Sequence, residues 1–128
     1  MPRDADTIHG RSLHSDAPNW QPLIDLVGAS LAEWFMWMFD VELADGGKMH
    51  AYKHIATRRY LHLAEDGRAF FYAGGERYRE ALGYHAIREA FAGWESTSPY
   101  PDDTLAHVAL LRHATERAVR RASLDDED

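Results

Sequence analysis

Residues 48–63 read KMHAYKHIATRRYLHL. The segment holds both lysines of the chain, Lys48 and Lys53, with Arg58, Arg59, three histidines and two tyrosines, and no acid. Whether it runs as strand or helix decides the fold. Met49, Ala51, Ile55, Leu61 and Leu63 take odd positions, and Lys48, His50, Tyr52, His54, Arg58, Tyr60 and His62 take even ones. Such alternation is the period of a strand buried on one face. Strands seldom exceed roughly 10 residues, so a bend or bulge near Ala56–Thr57 is expected. A bulge there would shift the parity: Arg59 would replace Arg58, and Tyr60 and His62 would turn toward the core.

The neighbouring segments extend the pattern. Upstream, Trp37, Phe39, Val41 and Leu43 alternate with Met38, Asp40, Glu42 and Ala44. Asp45-Gly46-Gly47 then signals a hairpin. A three-residue loop with Gly47 in the left-handed region would set Leu43 opposite Met49 and Glu42 opposite His50. Downstream, Asp66-Gly67 signals a second hairpin, with Leu63 opposite Phe70 and a third strand over about 68–73. Leu23, Leu26, Val27, Leu31, Trp34 and Phe35 have helical spacing, which predicts a helix over 21–34. Further helices are predicted from Glu76 to about Trp94 and from Asp102 or Asp103 to about Ala122.

These elements give the order α-β-β-β-α-α. The predicted fold is α+β: a three-stranded antiparallel meander with one face packed by helices. Residues 1–18 are expected to form a flexible tail, 19–123 a single domain, and 124–128 an acidic C-terminal tail.

Composition narrows the function classes. A chain of 128 residues can bury its own core. With no cysteine, disulfides, thiol catalysis and Cys-ligated metals are excluded. Removing the +4 of residues 48–63 from the net charge of −7 leaves −11 on the remainder, which opposes general polyanion binding. No apolar run is long enough to span a bilayer and no secretory signal is evident, so a cytoplasmic location without membrane attachment is expected. No Gly-rich nucleotide loop, zinc-protease motif or nucleophile elbow is present, and no cofactor is implied.

The candidate site is the even-numbered strand face, expected to be open. Its binding residues are Lys48, His50, Tyr52, His54, Arg58, Arg59, Tyr60 and His62. Cations meet anionic atoms and rings stack on planar groups, so the face suits an anionic or planar partner: a protein surface, a phosphorylated ligand or, with less support, a nucleic acid. Catalysis is the alternative, with Glu42 and His50 as a carboxylate–imidazole pair. His50 and His54, four residues apart on a strand, lie about 13 Å apart and do not converge on one metal ion. A structural role, including homodimer formation through the last helix, is a third reading.

Overall fold

A computed structural model describes residues 7–14, 17–93 and 111–121. Six antiparallel strands follow one another around a closed barrel: β1 (Thr7–Leu13), β2 (Phe35–Leu43), β3 (Lys48–His54), β4 (Tyr60–Ala64), β5 (Ala69–Gly74) and β6 (Arg77–Ala81). Two short helices, α1 (Gln21–Val27) and α2 (Ala29–Ala32), lie between β1 and β2. Helix α3 (Gly83–Ala90) follows β6, and residues 111–121 are helical. The predicted α+β meander is therefore incorrect: the sheet has twice the expected strands and no free edge.

Local chemistry explains the connections. Ala44-Asp45-Gly46 forms the first loop, with Leu43 N–H donating to Gly47 O at 2.8 Å and Gly46 at φ 90°. Glu65-Asp66-Gly67 repeats it: Ala64 N–H donates to Arg68 O at 2.8 Å, and Gly67 has φ 96°. In each, the aspartate Oδ1 accepts from a backbone N–H two residues on, at Gly47 and at Arg68. The first loop has the expected length but begins one residue earlier, so the left-handed residue is Gly46 rather than Gly47. The register becomes Val41 opposite Met49 and Asp40 opposite His50. In the second hairpin, Leu63 faces Ala69 and His62 faces Phe70.

The strands missing from the sequence reading complete the barrel. Gly75 and Glu76, at φ 59° and 60°, make the two-residue turn that joins β5 to β6. The helix expected from Glu76 thus begins only at Gly83. Residues 7–13, expected within a flexible tail, form β1, which pairs with both β2 and β6. The predicted 21–34 helix is divided at Gly28, whose φ of 89° interrupts it. Trp94, the start of the last helix and the acidic tail lie outside the described residues.

Closure creates two cores. Inside the barrel pack Val41, Leu43, Met49, Ala64, Phe70 and Tyr78, with Ile8 and Phe39. Outside, Tyr52, Leu61, Leu63 and Ala69 are covered by Leu23, Val27, Leu31, Ile87 and Phe91 from the helical segments. A register shift between Trp37 and Phe39 sends Phe39 inward and leaves Trp37 against the outer core. The chain also reverses over 55–59, where His54 N–H donates to Arg59 O and Arg58 N–H to His54 O. Leu61 consequently pairs with Tyr52, on the outer side, while His62 pairs with Ala51. The parity shift considered at Ala56 is thus realised as a full turn.

Gly10 marks where β1 meets the barrel interior. A Cβ there would lie 2.7 Å from Val41 Cγ1 and 2.8 Å from Tyr78 Cε2. Gly10→Ala is expected to lower unfolding free energy by about 1–3 kcal/mol through overpacking, measured by urea denaturation. Wild-type stability in this variant would contradict the close β1–β6 approach.

Candidate functional site

The predicted residues divide between two places. His50, Tyr52 and His54 lie on the outer face of β3, but all three are buried. The open face expected there is a correction: the helical segments cover it. Lys48 is exposed at the end of the strand, with Nζ 3.7 Å from Asp40 Oδ2.

His50, 1% exposed, is held between two carboxylates. Nδ1 lies 2.6 Å from Asp40 Oδ1 and Nε2 lies 2.7 Å from Glu65 Oε2. Carboxylate oxygens accept, so this arrangement is satisfied with a proton on each ring nitrogen. Trp37 Nε1–H also donates to Asp40 Oδ1 at 3.1 Å, and Asn19 Nδ2–H to Glu65 Oε2 at 3.2 Å. Burial alone would raise the Asp40 carboxyl, but the bonds from Trp37 and His50 and the Lys48 charge hold it below the ordinary range. The His50 bond likewise lowers Glu65. Tyr52 O–H donates to Asn19 O, and burial pushes its phenol up. The carboxylate partner of His50 is thus Asp40, two residues before the expected Glu42, which instead accepts from Arg11 at 2.7 Å. A general base needs an unoccupied ring nitrogen facing substrate. With both nitrogens engaged, His50 ties β2, β3 and the Glu65 turn together.

His54 is also committed to structure. Its Nδ1 accepts from Ala56 N–H at 3.0 Å and Thr57 N–H at 3.1 Å, and Phe35 and Phe91 present T-shaped contacts to its ring. Among the described residues, no group of three or more His, Asp or Glu is placed to hold a metal ion.

The other group gathers at one end of the barrel. Tyr60 and His62 turn inward from β4, and Arg59 stands at the rim. A cavity of about 320 Å³ is lined by Ser12, Phe39, Tyr60, His62, Tyr72, Glu76 and Tyr78. Rings form a continuous wall: Tyr60 stacks on His62 at 5.6 Å, His62 meets Tyr78 at 5.2 Å, and Tyr78 meets Tyr72 at 5.2 Å. Tyr60 also approaches Phe39 at 6.5 Å, with Lys53 Nζ 5.5 Å above its ring. Deeper in, Val41, Met49 and Phe70 fill the bore.

His62 is 5% exposed and lies among these rings. Among the described residues, its contacts are aromatic and no group hydrogen-bonds its ring nitrogens. Burial lowers its pKa to about 4, so the imidazole is neutral at neutral pH. It can both donate and accept a hydrogen bond within this aromatic wall.

A second cavity flanks the mouth. β4 begins at Tyr60 and β5 continues to Gly74, yet they pair only at His62–Phe70 and Leu63–Ala69. Where the ladder stops lies a cleft of about 420 Å³, lined by Arg59, Tyr60, His62, Phe71, Tyr72 and Glu89. The two cavities share Tyr60, His62 and Tyr72. Helix α3 anchors the rim: Thr57 O–H donates to Ala90 O at 2.7 Å, and Arg59 Nη1–H to Glu89 Oε1 at 2.7 Å. Arg58 is exposed in the same turn, with φ 65°.

Sequence reasoning did not find Ser12, Phe39, Tyr72, Glu76 and Tyr78 as site residues. Tyr78 and Ser12 lay in segments not recognised as strands. The alternation of Phe39 points to the core, and Tyr72 falls within the third strand expected over about 68–73. In comparisons with known proteins, the chain matches no family model, no curated protein and no solved structure.

Two measurements check these environments. Unfolded His62 takes up a proton near pH 6.5, whereas the folded group does so near 4. Between those values the unfolded state binds more protons, so its contribution is complete above pH 6.5 and is lost as pH falls toward 4. The loss is about 3 kcal/mol. Urea denaturation across this window should show that slope, and His62→Gln should reduce it; an equal slope in both proteins would contradict the buried neutral imidazole. Asp40→Ala should cost about 3–5 kcal/mol by leaving His50 without its buried partner, a loss readable in the same assay.

Proposed function

We propose that this protein binds a small planar, largely apolar molecule in the mouth of its barrel. A six-stranded bore is too narrow to enclose a ligand beside its own side chains, and here it is filled by Val41, Met49 and Phe70. The mouth remains, with a volume at the small end of ligand pockets. Apolar and aromatic lining with a few fixed polar groups is the usual composition of such sites.

The observation that carries this reading is His62. A neutral imidazole, buried among Tyr60 and Tyr78 and without a protein hydrogen-bond partner among the described residues, offers directional bonding to a guest. Phe39, Tyr60, Tyr72 and Tyr78 offer faces and edges to a ring system. From the cationic aromatic segment, Tyr60 and His62 line both cavities and Arg59 the outer one; His50, Tyr52 and His54 support the scaffold. The scale of the mouth suits a small molecule better than a protein surface or a nucleic-acid strand.

N-phenylnaphthylamine, a neutral planar dye that brightens in apolar surroundings, supplies the test. Saturable binding of one dye per chain is expected. Tyr60 and Tyr72 are 36% and 55% exposed, so replacing both with Ala should preserve the fold. Loss of two ring contacts should weaken the dye about tenfold. Absence of saturable binding to the native protein, or unchanged affinity in the double variant, would refute the mouth as a ligand site.

A further inference from the structure

We propose that the ligand is a planar aromatic anion that lies across the gap between β4 and β5 where their pairing stops. Its ring occupies the mouth against Tyr60, His62 and Tyr72, and its charge sits outside on Arg59, displacing Glu89. The proposal rests on the mouth being a ligand site and adds the ligand's charge and direction.

Three observations lead there. The inner and outer cavities have Tyr60, His62 and Tyr72 in common, so they are two sides of one aromatic wall. That wall stands where the ladder ends after His62–Phe70. A ring can pass there without breaking the paired positions at His62 and Leu63. Finally, the polar group facing the outer cavity is the Arg59–Glu89 pair, with N–O distance 2.7 Å and both side chains about half exposed.

Charge around the outer cleft favours an anion. Arg59 lines it, Arg58 precedes Arg59 in the same turn, and Lys53 reaches over Tyr60. Arg79 is the cross-strand partner of Phe71, another lining residue. The acid lining that cleft is Glu89, paired with Arg59. Exposed ion pairs are weak and exchange readily, so Glu89 can hold the guanidinium in position until a ligand carboxylate, sulfonate or phosphate takes its place. A planar guanidinium then binds the anion through two parallel N–H bonds.

The test compares two dyes sharing an aromatic skeleton, neutral N-phenylnaphthylamine and anionic anilinonaphthalene sulfonate, in fluorescence titrations of the full chain. Arg59→Ala should weaken the sulfonate about fivefold more than the neutral dye. Glu89→Gln should tighten the sulfonate about two- to fivefold by releasing Arg59. Arg112→Ala, on the exposed face of the 111–121 helix, should alter neither.

If Arg59→Ala leaves the sulfonate unchanged, or weakens both dyes equally, the assignment of the charge to Arg59 is overturned while the ring site stands. An equal loss on Arg112→Ala would show surface adsorption and overturn it as well. Failure of both dyes to bind the native chain would remove the ring site and this proposal together.

Discussion

Antiparallel pairing of β1 with β6 is the constraint on which the other features rest. Thr7–Arg79, Ile8–Tyr78 and His9–Arg77 join the first strand to the last, and Gly10 N–H donates to Glu76 O at 2.8 Å beside them. Once the sheet closes, it has an inside and an outside rather than a wet face and a dry face. Each needs its own packing, so both parities of β3 are buried. Met49 and Ala51 go to the bore, while His50, Tyr52 and His54 go beneath the helical segments. Gly10 makes closure sterically possible because Tyr78 and Val41 occupy the space a side chain would need.

Closure also assigns different work to the histidines. His50 is satisfied on both nitrogens by Asp40 and Glu65, and His54 accepts from the turn that follows it. Buried polar groups with their partners in place specify a register more than they provide reactivity. His62 faces the bore, where aromatic rings pack against it, and burial keeps it neutral. Three imidazoles from one short segment therefore act as a clamp, a turn organiser and a candidate ligand contact.

Parts of this arrangement were legible in the residues. The Asp-Gly pairs at 45–46 and 66–67 announced two hairpins, and alternation along 37–43 and 48–54 announced strands. The side-chain faces were harder to read. The shift at Met38 and the turn at 55–59 each change parity, so Phe39 parts from Trp37 and Leu61 from Met49. β1 and β6 carry weak signals for a physical reason. Gly10 contributes no apolar side chain, and RYREA has one aromatic among charged residues whose other partners lie across the barrel. The cationic aromatic segment was conspicuous in the sequence, but the association of Tyr60 and His62 with Ser12, Tyr72 and Tyr78 arises only when the ends of the sheet meet.

Cross-strand nuclear Overhauser effects between residues 7–9 and 77–79 test barrel closure most directly. A closed barrel gives close backbone contacts at Ile8–Tyr78 and its neighbours, with slow amide exchange along both strands. Random-coil shifts over 7–13, or contacts from β1 to β2 without any to β6, would mean an open sheet. Such a result would contradict the closed barrel and remove the mouth built on it.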